Sequence, residues 1–352
     1  MAKRILATGY FGEGNHGDDA ILLGLLQGLS GSGVDVRVMS GRPEETHRLY
    51  GVPSFSRRDL KIFDREIQAV DALVFAGGSI FQDVTSVRSA AYYGMLIKKA
   101  RAAGKKVIML GQGVGPLKTM CGKSIATKAF SACTAIAVRD PQSAATLKGL
   151  GVRGTVKLTG DLAWLLPSPE AGEVVDFQLG DLKTVGLAPR PHGKGDHVVK
   201  LFGELARLLF QAKFLPVLVE LDQKEDGPLI VEIDKAMGGK VPSVRRMPTP
   251  MTVQQRIMRM DSLIAMRLHA GILASTVGVP SFMVSYDPKV NAFAQLVDLP
   301  AANVKDLTPQ RLFENFLQFQ KNKEIVMKSF AARCVQQREA AQQNISLLLE
   351  NL

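Results

Sequence analysis

Short runs of aliphatic and β-branched residues recur along the whole chain, each followed by a stretch of helical character. In the first half these runs are Arg4 to Gly9, Val34 to Met39, Ala72 to Ala76, Lys106 to Leu110, Ala135 to Val138 and Val156 to Leu158. In the second half they are Thr184 to Leu187, Leu215 to Glu220, Ser243 to Met247, Leu263 to Met266 and Ser281 to Val284. A strand with one wet face alternates apolar and polar residues. Most of these runs are continuous instead, as expected of parallel strands covered on both faces. The pattern predicts an α/β protein with two Rossmann-like, doubly wound domains facing a cleft. A length of 352 residues gives each domain enough chain to bury its own core.

The stretch Pro167-Ser168-Pro169-Glu170-Ala171-Gly172 reads as an interdomain linker. The expected organisation is therefore a first domain over 1–166, a linker over 167–182 and a second domain over 183–322. In the tail, 323–352, Met327, Ala331, Cys334, Ala341, Ile345, Leu348 and Leu352 recur mostly at three- and four-residue spacing, with Arg338 interrupting. That stripe predicts a helix packed on the body.

Hydrophobic residues make up 46% of the chain and charged residues 22%, a globular balance. The net charge of +11 points to anionic partners, including peripheral contact with an anionic membrane. The basic residues are scattered, as in Arg57-Arg58, Lys98-Lys99, Lys105-Lys106 and Arg245-Arg246, and Trp164 is the one tryptophan. Without a basic stripe interleaved with aromatics, nucleic acid is not expected as a partner. Cys121, Cys133 and Cys334 have neither metal-ligand nor disulfide-framework spacing, which suits a reducing compartment and predicts no metal site. The opening Met1-Ala2-Lys3-Arg4 resembles the charged start of a signal peptide, but the apolar run behind it is short and ends in glycine, so it reads as a first strand. With no run long enough to span a bilayer, a cytoplasmic location is expected, with peripheral contact at the inner membrane face, and the sequon Asn344-Ile345-Ser346 is expected to be idle.

Polar loops follow successive strands. Gly12-Glu13-Gly14-Asn15-His16-Gly17 spells G-x-G-x-x-G after the first strand, with a helix opening at Asp18. A dinucleotide fold would place an acid at the end of the second strand, where Met39-Ser40-Gly41-Arg42 has none. Asp18 and Asp19 would also repel a pyrophosphate at the helix N-terminus. Carboxylates there are favoured by the helix dipole and can either cap the helix or accept hydrogen bonds from sugar hydroxyls. Further loops are Gly77-Gly78-Ser79-Ile80-Phe81-Gln82-Asp83 and Gly111-Gln112-Gly113-Val114-Gly115-Pro116, then Arg139-Asp140 and Gly160-Asp161. Glycines let a ligand approach the backbone, and Ser79, Gln82, Asp83 and Gln112 add polar contacts. In the second half, Arg267 and His269 stand at the end of one strand and Lys289 beyond the next, where an open α/β sheet would hold a phosphate or carboxylate.

Taken in order, Gly9-Tyr10-Phe11-Gly12 with Asn15-His16-Gly17-Asp18-Asp19-Ala20, Gly77-Gly78-Ser79 with Gln82-Asp83, Gly111-Gln112-Gly113-Val114-Gly115-Pro116, Arg139-Asp140, Gly160-Asp161, Arg267-Leu268-His269 and Tyr286-Asp287-Pro288-Lys289 resemble the polysaccharide pyruvyltransferase family. The resemblance spans residues 5 to about 297 and is strongest to the bacterial branch that acts on N-acetylmannosamine in secondary cell-wall polymers and so anchors surface-layer proteins. His16 stands where that family would have a small residue, and Asp19 where it would have a glutamate.

The resemblance implies a GT-B-like fold and phosphoenolpyruvate as co-substrate, with no other cofactor. It also implies a sugar or lipid-linked saccharide acceptor that receives a 4,6-ketal as phosphate is released. Arg139, Arg267, Leu268, His269 and Lys289 match the donor-binding positions, and planar guanidinium forks with an ammonium suit so anionic a donor. His269 is either the acid that protonates C3 or a phosphate ligand. The first-domain loops (Asn15, Asp18, Asp19, Gly77, Gly78, Ser79, Gln82, Asp83 and Gln112) are the expected acceptor side, with Asp18 as hydroxyl-binding group or general base. A GT-B glycosyltransferase using a nucleotide sugar is the alternative. It would place a glutamate after the His-Ala-Gly turn to hold the ribose, and no acid lies between His269 and Pro280.

Overall fold

The computed structural model describes residues 2–83, 87–169, 181–193, 196–239 and 241–352. They form two compact units, one of Met1–Glu13, Asp18–Leu166 and Gln337–Leu352, the other of Gly14–Gly17 and Pro167–Gln336. Most of the expected linker, residues 170–180, lies outside the described residues.

The first unit is built on a seven-stranded sheet of β1 (Arg4–Thr8), β2 (Asp35–Ser40), β3 (Ser54–Ser56), β4 (Ala72–Ala76), β5 (Lys106–Gln112), β6 (Ala135–Val138) and β7 (Val156–Leu158). The order is β3-β2-β1-β4-β5-β6-β7 and every pairing is parallel. All five residues of β4 are buried, which accounts for its unbroken apolar sequence. Phe75, Phe81, Tyr93 and Phe130 interlock beneath it with ring centroids 5.0–6.2 Å apart.

The second unit has six parallel strands: β8 (Lys183–Ala188), β9 (Phe214–Val219), β10 (Ser243–Val244), β11 (Ser262–Ala265), β12 (Ser281–Ser285) and β13 (Ala301–Asn303). Their order is β10-β9-β8-β11-β12-β13. Its core gathers Leu187, Phe202, Leu218, Ile264, Phe282, Phe316 and Phe319.

The two α/β sheets agree with the sequence expectation, with differences at the edges. β3 and β13 were not anticipated. Each is a three-residue edge strand without a buried residue, so neither carries an apolar run to read. The run Ser243 to Met247 pairs only over Ser243–Val244, because the backbone turns into the left-handed region at Arg246, with φ of 51°. The first helix covers His16–Gly28 and begins two residues before Asp18.

In both sheets the chain starts near the middle, moves to one side, then returns to pair on the other. That reversal lies between β1 and β4 in the first unit and between β8 and β11 in the second. Parallel strands end at a common edge, and at a reversal the flanking loops diverge and leave a crevice.

The tail is one helix, Lys323–Asn351. In the first unit its Asn344, fully buried, donates to the Gly160 carbonyl at 2.8 Å and to the Ala341 carbonyl at 3.0 Å, and accepts from Thr159 Oγ1 at 2.8 Å. The sequon asparagine is thus enclosed by the loop that follows β7. No helix among the described residues is long and apolar enough to cross a membrane. Replacing Asn344 by Ala leaves the buried Gly160 carbonyl without this donor and the Thr159 hydroxyl with only its longer bond to the Val138 carbonyl at 3.3 Å, and an unsatisfied buried group costs about 1–3 kcal/mol. Urea unfolding should therefore show Asn344→Ala destabilised by about 1–3 kcal/mol, with an unchanged m-value.

Candidate functional site

At the strand ends of the first unit, Gly77 and Gly78 adopt positive φ angles of 62° and 77°, a conformation that turns the loop sharply after β4 and favours glycine. A Cβ on Gly78 would lie 3.3 Å from Asp18 Oδ1, so the Asp18 carboxylate rests directly against this backbone. Asp18 is partly exposed, in the first turn of helix His16–Gly28. Beside it, Arg139 leaves β6 with 7% of its surface exposed. Its Nη1 donates to Asp161 Oδ2 at 2.8 Å, its Nη2 to Ser79 Oγ at 2.9 Å, and its Nε lies 3.6 Å from Asp140 Oδ2. Burial alone would lower the Arg139 pKa, but Asp161 and Asp140 outweigh it and hold the guanidinium charged. Its charge is matched within the protein, and it fixes Ser79 at the mouth of the β4 loop.

Three of the expected acceptor residues turn their polar atoms into the protein. Asp83 accepts from the Lys118 and Thr119 backbone N–H groups, both at 2.7 Å, and from Thr119 Oγ1 at 2.6 Å. Gln112 is fully buried and donates through Nε2 to the Phe75 carbonyl at 3.1 Å. Asp19, 8% exposed, accepts from the Gly12 N–H at 2.8 Å and so holds the loop after β1 in shape. Gln82 is partly exposed, as is Ser79. Tyr10 in the β1 loop is 39% exposed, and the Arg57 guanidinium lies 5.1 Å from its ring centroid and 5.6 Å from those of Tyr92 and Tyr93.

Asn15 belongs to the second unit. Its Oδ1 accepts from the Gly17 N–H at 2.9 Å and its Nδ2 donates to Asp222 Oδ2 at 3.3 Å. His16 donates its backbone N–H to the Leu221 carbonyl at 2.8 Å. Its ring is 3% exposed, and among the described residues neither ring nitrogen has a hydrogen-bond partner. Burial lowers its pKa to about 4 against the opposing charge of Asp222, so the imidazole is neutral near pH 7. Gly17 is a close approach: a Cβ there would come within 2.3 Å of His269 Nδ1. The glycine lets His269 pack against the start of this helix.

His269 and Leu268 open the helix Leu268–Thr276 immediately after β11. Its N-cap residue is Arg267, which makes no side-chain cap. A guanidinium has no acceptor to offer a helix N-terminus, and the Ala270 and Gly271 N–H groups donate to the Arg267 carbonyl, at 3.1 and 3.3 Å. Arg267 instead donates through Nε to both Asp226 oxygens, at 3.0 and 3.1 Å, and through Nη2 to Glu225 Oε2 at 2.9 Å. Burial opposes its charge, yet Asp226 and Glu225 raise its pKa further. Lys289 follows β12, its Nζ 3.9 Å from Asp287 Oδ2. The second unit thus brings Arg267, Leu268 and His269 to one strand end and Lys289 to the next, while Arg139 belongs to the first unit.

Arg190, Glu225 and Asp226 beside this set were not singled out from the sequence. Arg190 carries the signal used for Arg139 and Arg267, a cation just past a buried strand. Glu225 and Asp226 have no such signal, because only the packing of the β9 loop brings them to Arg267. Among the described residues no group of three or more His, Cys, Asp or Glu side chains is placed to hold a metal ion.

Two parallel-sheet units with flanking helices make this a two-domain α/β protein of the GT-B type. UDP-GlcNAc 2-epimerase from Neisseria meningitidis, bound to UDP-GlcNAc, superimposes with a TM-score of 0.63 at 11% identity, over 99% of this chain and 100% of that one. HepE from Anabaena in complex with UDP-glucose gives 0.64 at 12% identity, over 99% and 100%. MurG from Acinetobacter baumannii gives 0.56 at 13% identity, over 99% of each. At such identities the likeness establishes the fold alone. No curated protein matches the chain. The sequence does match the family model for polysaccharide pyruvyl transferase over residues 15–288, most of its length. The chain belongs to that family, and is a transferase by membership.

Asp19 gives this site a pH signature. Burial raises its pKa from 3.8 to about 7, against the Gly12 hydrogen bond that favours the charged form. The folded state therefore prefers the protonated acid. As pH rises from about 4 to 7, the unfolded chain ionises Asp19 before the folded protein does, so stability is lost through that window and levels off above it. Asn keeps an oxygen for the Gly12 N–H and does not titrate. Calorimetric Tm values of wild type and Asp19→Asn should agree near pH 4 and diverge in favour of the variant up to about pH 7.5. Parallel profiles over this range would mean that Asp19 titrates as an ordinary carboxyl.

Proposed function

We propose that this protein transfers the pyruvyl group of phosphoenolpyruvate to a sugar as a 4,6-ketal, with N-acetylmannosamine of a lipid-linked cell-wall polymer precursor as the acceptor. The observation that carries the reading is the family match together with the β11 strand end. There Arg267 and His269 frame a helix N-terminus that no side chain caps. The positive end of a helix, a guanidinium fork and the Lys289 ammonium are together suited to a small donor bearing both carboxylate and phosphate.

Phosphoenolpyruvate becomes electrophilic at C2 once C3 takes a proton. One sugar hydroxyl adds to C2, phosphate leaves with the C2–O electron pair, and a second hydroxyl of the same sugar closes the ketal. His269 supplies the C3 proton or a hydrogen bond to the departing phosphate. Arg267, the Leu268 backbone and Lys289 hold the anion. In the first unit Asp18 is the hydroxyl-binding group or base, with Gly78 and Ser79 beside it, and Arg139 keeps Ser79 in place. Asp19, Asp83 and Gln112 shape the loops through the backbone bonds they accept and donate. The partly exposed Asp18 carboxylate suits neutral hydroxyls and would repel an anionic donor, which favours this assignment of roles.

Incubation with phosphoenolpyruvate and candidate saccharides should release phosphate only when an acceptor is present. Turnover of a nucleotide sugar without any of phosphoenolpyruvate would sink the reading in favour of a glycosyltransferase. Arg267→Ala, His269→Ala and Lys289→Ala should each weaken donor use roughly tenfold to a hundredfold, the equivalent of about 1.5–3 kcal/mol per charge-assisted contact. A kcat loss in His269→Ala well beyond that range identifies it as the C3 acid.

Asp18→Asn tests the acceptor side separately. It retains shape and removes the base, so kcat should fall by about 10²–10⁴ with donor KM nearly unchanged. Loss of thermal stability without a specific kcat effect would leave Asp18 a helix cap.

A further inference from the structure

The loops at the reversal between β8 and β11 bring two guanidiniums to one carboxylate. Arg267, after β11, donates through Nη2 to Glu225 Oε2 at 2.9 Å. Arg190, two residues beyond β8, places its Nη2 3.5 Å from the same oxygen. Arg190 is also positioned by Tyr286, whose ring centroid lies 4.7 Å from its guanidinium and whose hydroxyl it contacts.

The two carboxylates on Arg267 differ in kind. Asp226 is fully buried and accepts from the Leu221 and Asp222 backbone N–H groups at 3.2 and 3.0 Å, so it is part of the frame. Glu225 has 49% of its side chain exposed, against 11% for Arg267 and 23% for Arg190. It occupies the N-cap position of helix Asp226–Ala236 without capping it. Glu225 also lines a cavity of about 210 Å³ with Pro191, His192, Val198 and Leu229, which leaves room beside it for the carboxylate to move.

We propose that Glu225 is a displaceable counter-ion, bridging Arg190 and Arg267 until an oxyanion of the donor takes its place. The inference rests on the donor reading of Arg267 and adds Arg190 to the donor-binding groups. A donor carboxylate or phosphate offers a guanidinium fork the same charge and lone-pair geometry as the glutamate. A half-exposed pair is held weakly, so exchange is cheap, whereas the Asp226 pair, desolvated and hydrogen-bonded, stays. The internal carboxylate also raises selectivity. A singly charged anion gains little by replacing it, while a multiply charged donor gains contacts with both arginines and with the helix terminus.

Calorimetric titration at fixed ionic strength, with phosphoenolpyruvate and separately with inorganic phosphate, tests this. Glu225→Gln keeps the side-chain length and removes the competing charge. Both probes should bind about tenfold more tightly to it than to wild type. Arg190→Met should weaken both probes at least tenfold, Arg190→Lys by less, and adding Arg190→Met to Glu225→Gln should abolish the gain. Glu204→Gln, which loses an exposed partner of Arg207 and changes net charge equally, should bind as wild type does. Unchanged or weaker binding in Glu225→Gln overturns the proposal, because a glutamate that merely positions the arginines would be missed when neutralised. Tighter phosphate binding in Glu225→Gln, with phosphoenolpyruvate no better than phosphate, upholds the counter-ion and removes the donor assignment instead.

Discussion

A parallel strand buried on both faces has no surface on which to carry chemistry. Its side chains are committed to helices above and below, and its backbone to the ladder. Residues that must meet a ligand are therefore displaced to the loops at the strand ends, and the order of the strands decides which loops part enough to admit one. Here the sheet of each unit reverses direction once. The Gly77–Gly78 turn and Asp18 fall at one reversal, and Arg190, Arg267 and the start of helix Leu268–Thr276 fall at the other. The family motifs are scattered widely in the sequence for this reason: one edge of a sheet collects residues from every strand in it.

Placing cations at such an edge is costly, and the protein offsets the cost locally. A guanidinium withdrawn from water needs a carboxylate with its own hydrogen bonds satisfied. Asp161 does this for Arg139, also accepting from the Ala163 N–H at 3.0 Å, and Asp226 does it for Arg267. The same rule favours neutral forms where the surrounding groups do not outweigh the cost of burial. Asp19 and His16 are both buried, and desolvation moves their pKa values in opposite directions, to about 7 and about 4. Each is thereby pushed toward its uncharged form. Asp19 still reaches the Gly12 N–H from the first turn of its helix and ties the β1 loop to it.

The continuous strands were legible because burial on both faces writes itself into composition. β4 and β6 run over the residues their apolar runs predicted, Ala72–Ala76 and Ala135–Val138. Edge strands β3 and β13 were not legible, since three half-exposed residues carry no periodicity. The strand-end cations Arg139, Arg267 and Lys289 could be read as departures from an apolar background. What they bond to could not. The pairing of Arg267 with Asp226 joins residues 41 apart in sequence, and that of Asn344 with Gly160 joins residues 184 apart. Only the closed fold brings them together. For the same reason the sequence overstated the polar reach of Asp83 and Gln112: residue type reveals a hydrogen-bonding group, while direction depends on the backbone around it.

The likeness to proteins solved with UDP-sugars, at 11% and 12% identity, carries the fold and leaves the chemistry to local residues. The local character of this chain is electrostatic. After β11 the helix Leu268–Thr276 contains no acid, its cap residue is a cation, and its first turn is otherwise apolar or histidine. Such a terminus attracts negative charge and offers nothing to accept from a ribose hydroxyl. The carboxylates on Arg267 are Asp226, bound into the frame, and Glu225, half in solvent. On the proposed donor reading, such a site would discriminate by charge before shape. A compact, multiply charged donor would then repay the separation of Glu225 from both arginines, whereas a larger ligand whose charge sits between two neutral ends would have to do so with one group alone.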